Sequence, residues 1–213
     1  MRLRSSLRAR TAGASVRGLW LGSLVVASVL LTSTAAWAGH PQERHGFWIG
    51  FGAGYGSAYA SADCDGCSGD REDSGTAFIK LGGTLNKNVL LGVETNLWIK
   101  EETSNTTLYL GAFTGTVTVY PQASGGFFLK AGAGASYVSS DFQEGSLTAS
   151  IEKWGWAVLV GAGYDIRVGR NISLTPCVNY HYGKLGDINF QGITAFPNWK
   201  QDVVSFELGL TFH

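Results

Sequence analysis

Five groups of residues in this chain have types and spacings that could do chemistry. Cys64 and Cys67 form C-x-x-C within DCDGCSGDRED, a spacing that serves a disulfide, a redox centre or a metal, while Cys177 stands alone. Around the pair, Asp63, Asp65, Asp70, Glu72 and Asp73 supply hard oxygens of the kind calcium takes. Glycines at 50, 52, 54 and 56 in FWIGFGAGYGSAYA invite comparison with a phosphate-cradling loop. His181 sits between tyrosines in NYHYGKL. Lys80, Glu94, Lys130, Asp165, Arg167 and Glu207 are isolated charges in stretches of apolar and small residues, where they would need partners.

Most of these groups have a plainer reading. A dinucleotide fingerprint is G-x-G-x-x-G between a strand and a helix, whereas here glycine falls at every second residue, which is the period of a strand. The acidic segment holds only a fragment of a calcium loop, without the closing glutamate at its required spacing, so a solvated acidic loop with no metal is expected. Redox use of C-x-x-C expects a βαβ pattern, and none is visible; in an exported chain a small disulfide loop between Cys64 and Cys67 is the favoured reading, with a redox centre or calcium site as weaker alternatives. No cofactor is implied.

Export follows from the first 38 residues. Arg2, Arg4, Arg8, Arg10 and Arg17 precede the apolar stretch Leu19 to Leu31, which runs into Ala36-Trp37-Ala38. That is the form of a secretory signal peptide over 1–38, cleaved after Ala38, and thirteen apolar residues are few for a membrane-spanning helix. No twin arginine and no lipid-accepting cysteine are present, so the general secretory (Sec) route is expected. A short periplasmic lead, 39–46, precedes the body at 47–213. Removing the five leader arginines leaves eleven basic against sixteen acidic side chains, a net charge of −5, which excludes a nucleic-acid partner. Thirty glycines, twenty-six aromatics and only four prolines exclude disorder.

The elements that must position these residues are strands throughout. Apolar residues alternate with small or polar ones over Phe47 to Ala60, Gly75 to Leu85, Val89 to Lys100, Thr106 to Tyr120, Phe127 to Ser139, Lys153 to Val168, Ile172 to Lys184 and Asp202 to Phe212. Short links at 86–88, 121–126 and 169–171 alternate with mostly longer ones at 61–74, 140–152 and 185–201. The fold class expected is all-β, an eight-stranded antiparallel up-and-down transmembrane β-barrel of the bacterial outer membrane, with both termini periplasmic. A soluble sandwich would carry Lys, Glu and Thr on its wet face; here that face is mostly glycine, serine and threonine, which suits a narrow filled bore. Phe47, Ile49, Phe51 and Tyr55 then face lipid and the glycines between them face inward. By height, Lys80, Glu94, Lys130 and Glu207 share one layer of the lumen, with Asp165 and Arg167 nearer the periplasmic rim. A salt-bridged plug is expected, in preference to an ion path.

With those segments in place, the chain resembles the OmpA-type family of eight-stranded outer-membrane barrel domains, on the stretches WIGFGAGYG and VLVGAGYDIRV and the ending VSFELGLTF. The ending resembles the family's insertion signal, which assigns that role to Phe206, Leu208, Leu210 and Phe212, with His213 as a departure because such chains usually stop at the aromatic. The resemblance implies envelope integrity or adhesion and binding by outer loops, with outer-membrane lipid, lipopolysaccharide, periplasmic chaperones and the barrel-assembly machinery as partners. No enzyme is expected. Barrels of similar size that deacylate lipid A use His-x-Ser and a glutamate near the outer rim; here Gly183 stands in the serine's place and parity turns His181 toward the lumen. A conduit for small apolar molecules of the OmpW type is the other alternative, carried by inward Phe78, Trp98 and Phe128.

Overall fold

The computed structural model describes residues 44–213 apart from 65, 66, 68, 104, 105, 145, 146, 191 and 192. The expected leader at 1–38, the lead up to residue 43, Asp65 and the link at Ser104 and Asn105 lie outside the described residues. The strands are β1 (Phe47–Ser61), β2 (Glu72–Asn86), β3 (Val89–Thr103), β4 (Thr106–Val119), β5 (Phe127–Glu144), β6 (Leu147–Tyr164), β7 (Ile166–Arg167), β8 (Ile172–Phe190) and β9 (Ile193–Phe212). Chain neighbours pair antiparallel from β1 to β6, β9 returns to pair with β1, and β8 pairs with both β6 and β9. The sheet is therefore a closed barrel. β7 carries β6 onward past Asp165, so eight staves make the wall, as expected. The expected unbroken strand from Lys153 to Val168 is divided at Asp165, between β6 and β7, although the Asp165 N–H still donates to the Gly126 carbonyl at 2.9 Å in register with the β5–β6 pairing.

Closure requires a stagger between strands, and the register supplies it. From Phe47 the partners run through Gly83, Leu91, Val117, Ala131, Val160, Tyr180 and Val204 and return to β1 at Ser57, ten residues above the start. The tilted tube that results has an interior which side chains can fill.

Alternation decides which face meets what. Phe47, Phe51, Tyr55, Ile79, Leu91, Phe113, Trp156, Val160, Phe206 and Leu208 are exposed, whereas Trp48, Phe78, Trp98, Leu110, Phe128 and Leu159 are buried in the bore. The exposed face is apolar around the whole wall, a surface a water-soluble monomer does not present. The insertion-signal residues Phe206 and Leu208 lie on this face, with Leu210 and Phe212 half-buried beside them.

Glycine is required where two backbones close on each other. A Cβ at Gly54 would fall onto the Phe206 carbonyl oxygen across the β1–β9 seam. At Gly82 and Gly92 the space is taken by the Trp48 ring and the neighbouring backbone. The opening glycine run is thus the price of a narrow bore closed by its own first strand.

The loops expected at 140–152 and 185–201 are corrected by the structure. β5 and β6 pair as far as Glu144 and Leu147, and β8 and β9 as far as Phe190 and Ile193, so both segments are long hairpins. A tilted strand crosses hydrocarbon in roughly 9–11 residues, so strands of 18 to 20 residues leave a ladder rising roughly 20 Å beyond the apolar belt. There lipid no longer dictates the outer face, and the apolar alternation breaks down although the hydrogen bonding continues.

Candidate functional site

The lumen is filled in layers, built from the inward parity of each strand. At the mouth beside the chain termini, Asp165 is fully buried and accepts hydrogen bonds from Tyr120 Oη and Thr175 Oγ1, both at 2.7 Å. His213 Nε2 is 3.7 Å from the same carboxylate and Arg44 is 4.0 Å from it. Arg44 also donates to the carbonyls of Ala123 at 3.0 Å and Gly125 at 2.7 Å, and its guanidinium lies 3.4 Å over the Tyr120 ring. Asp165 thus holds the first described residue of the chain and the last. Arg167, on β7, is buried in the same end of the bore.

Above the mouth come Trp48, Phe78, Leu90, Tyr120 and Phe128, packed with Cys177. Lys80 Nζ stands among three of these rings, 5.4 Å from Phe128, 5.7 Å from Phe78 and 6.0 Å from Trp48, within cation–π range. Lys80 and Glu94 are register partners at one height. Glu94 Oε1 accepts from Lys130 Nζ at 2.5 Å, with both groups almost wholly enclosed. The fourth charge, Glu207, is met by the Asn179 amide at 2.5 Å. Two cations and two anions therefore share the layer; one pair is a direct ion pair, and the other two charges are held by rings and by an amide.

Beyond this layer lies a small void of about 20 Å³, room for about one water, lined by Thr76, Asn96, Ser136, His181, Gln201 and Ser205 among others. Gln201 crosses it to donate to Ser136 Oγ at 3.0 Å. An apolar cap of Trp98, Leu110, Val138, Leu185, Ile188 and Val203 closes it, with the Trp98 indole N–H donating to the Gly56 carbonyl at 3.0 Å.

His181 faces this void and not the lipid. At Gly183, the serine position of the deacylase pattern, a Cβ would land on Ser136. Phe78, Trp98 and Phe128 do face inward, where they pack as filling.

At the opposite rim Cys64 and Cys67 are joined in a disulfide. The neighbouring Asp63 reaches β9, accepting from Lys200 Nζ at 3.1 Å and Asn198 Nδ2 at 2.5 Å, and its N–H bonds the Pro197 carbonyl at 2.9 Å. Those side-chain bonds, Asn198's first, hold its carboxyl below the usual carboxylate range. Arg71 bonds Asp202 and the Ser57 carbonyl, so the β1–β2 link lies against β9.

Comparison with known proteins agrees with this architecture. The chain matches the outer membrane protein beta-barrel domain over residues 24–212. It belongs to that family. It is therefore an outer-membrane barrel protein. Among solved structures it is similar to Neisserial surface protein A, at 17% identity and TM-score 0.53, covering 80% of this chain and 98% of that one. It is also similar to Ail, the attachment invasion locus protein of Yersinia pestis, at 12% identity and TM-score 0.53, covering 80% and 100%. The structure of Ail in complex with the heparin analogue sucrose octasulfate matches at 13% identity and TM-score 0.51, covering 78% and 99%. No curated protein matches it in sequence.

Sequence reasoning had passed over Arg44, Tyr120, Thr175, Asn179 and His213 as site residues. Parity could have found the outermost two: Arg44 is in phase with inward Trp48, and His213 with inward Thr211.

Proposed function

We propose that this outer-membrane protein is a closed, filled barrel that acts through its outer hairpins, by envelope support and surface binding, and neither conducts solutes nor catalyses a reaction. The observation carrying this reading is the layered bore, in which a buried Glu94–Lys130 pair lies between an aromatic layer and an apolar cap. An open conduit would need those layers apart, and a lipid-editing site would need His181 outside. With the termini periplasmic, the long β5–β6 and β8–β9 ladders project from the cell. Lipopolysaccharide surrounds them, and periplasmic chaperones and the assembly machinery meet the chain on its way.

The sign of a surface partner follows from charge. Segments 62–73, 100–105, 139–153 and 184–202 together carry twelve Asp or Glu and five Lys or Arg, a net −7. Such a rim repels a sulfated ligand such as the sucrose octasulfate in complex with Ail and favours a basic surface. Purified protein in planar bilayers is expected to give no sustained current, and cells displaying it to retain cationic beads over sulfated ones. Stable ohmic current steps would overturn the closed-bore reading.

A further inference from the structure

Just above the apolar belt, the outer surface of β4, β5 and β6 carries two cross-strand rungs of different make-up. The lower rung is Gly111, Tyr137 and Trp154. The Tyr137 and Trp154 rings lie 5.1 Å apart at 35°, and Tyr137 folds across Gly111, where a Cβ would fall on its ring. The upper rung is Tyr109, Ser139 and Glu152, and the small Ser139 leaves a notch between its larger neighbours. Together they border an outward groove of about 250 Å³. The rung beneath, Phe113, Ala135 and Trp156, belongs to the lipid-facing wall, so the groove opens sideways at the edge of the belt.

Resting on the outward orientation of the hairpins, we propose that this groove seats one sugar ring of an outer-leaflet glycolipid. The volume falls just under the range of drug-sized pockets, which suits a single ring. Aromatic faces carry the negative side of the ring quadrupole and suit the C–H face of a pyranose. Above them the Glu152 carboxylate accepts, and the Ser139 hydroxyl donates or accepts, hydrogen bonds from sugar hydroxyls. A bare acyl chain would leave both groups against hydrocarbon without partners, which disfavours it. Continuity with the lipid-facing wall selects a membrane-borne sugar over a free glycan, since a ring here stands directly above acyl chains.

The test uses the full barrel reconstituted in phosphatidylcholine vesicles with and without lipid A, then exchanged into mild detergent, with retained lipid A counted by native mass spectrometry. Trp154→Ala and Tyr137→Ala are expected to retain about fivefold less than the parent. Ile79→Ala, lipid-facing on β2 and bordering no such groove, is expected to retain the parent amount, and heat-modifiable gel mobility verifies that each variant is folded. Equal retention by folded Trp154→Ala and parent overturns the sugar site. A Ser139→Cys variant separates this from the orientation: labelling by a membrane-impermeant maleimide on intact cells supports outward hairpins, and labelling only after lysis overturns that reading and the glycolipid site with it.

Discussion

Lys130 Nζ stands 2.5 Å from Glu94 Oε1 in the middle of the bore, with almost none of either group reaching solvent. A buried pair is strongly asymmetric to mutation, because removing one partner leaves the other charge enclosed and uncompensated. Glu94→Gln is therefore expected to lower unfolding stability in detergent by about 3–5 kcal/mol, whereas the double variant Glu94→Leu/Lys130→Met recovers most of that loss. Urea titration followed by heat-modifiable mobility measures both. A double variant as weak as the single one would show that the pair is not the seat of the effect.

Gly54 and Gly83 make a matched pair on adjoining strands. A Cβ at Gly54 meets the Phe206 carbonyl oxygen and the Glu207 Cα, both backbone atoms that cannot rotate away, while at Gly83 nothing lies within 4 Å. Gly54→Ala is expected to cost about 1–3 kcal/mol or to block closure of the β1–β9 seam, and Gly83→Ala to stay within about 0.5 kcal/mol of the parent. Equal effects in the folded yield of the two variants would contradict the close approach.

What was legible in the sequence was what lipid imposes. Val204, Phe206 and Leu208 must face hydrocarbon and Ser205 and Glu207 must not, so β9 shows a period of two that survives in the residue types alone. Above the belt that constraint lapses, which is why the ladder at 140–152 reads as a loop while its backbone pairs on to Glu144. The lumen was half legible: parity and height brought Lys80 and Glu94 together, but pairings across the bore depend on the stagger, which no single strand records. Lys130 on β5 meeting Glu94 on β3, and Arg44 and His213 meeting at Asp165, are of that kind.

Arg44 offers a direct check on the mouth of the bore. Arg44→Ala removes two hydrogen bonds to the 121–126 link and the cation on Tyr120. The expected loss is about 2–4 kcal/mol, with faster proteolysis within the β4–β5 link than in the outer hairpins. Arg44→Lys is expected to restore little, because an ammonium cannot span both carbonyls and stack on the ring. Full rescue by lysine would mean that charge alone matters.

Asp63 sets a pH limit on the docking of the β1–β2 link. Its carboxyl is held below its ordinary value of 3.8 by Asn198 and Lys200, so the docked form favours the ionised group. The sign is that of a depressed acid: the contribution is complete above the ordinary value and is lost as the pH falls through the lowered one. The Asn198 side-chain amide resonance is expected to be constant from neutrality down to about pH 4 and to move only below it. A midpoint above pH 4 would exclude this carboxylate as the latch.

Leu208 and Ser205 test the sidedness on which the whole wall depends. Leu208 is exposed on the apolar face and Ser205 is buried in the bore, on the same strand. Leu208→Arg places a charge in hydrocarbon and is expected to cost about 2–4 kcal/mol in lipid vesicles if it lies near the midplane, less toward either interface. Leu208→Phe keeps the face apolar and is expected to be neutral. Ser205→Phe, equally apolar, is expected to cost about 1–3 kcal/mol or more, because the ring has to enter a bore already filled by its neighbours. The same phenylalanine is thus harmless at one position and damaging three residues away. Were Ser205→Phe tolerated and Leu208→Phe damaging, the faces would be the reverse of those described.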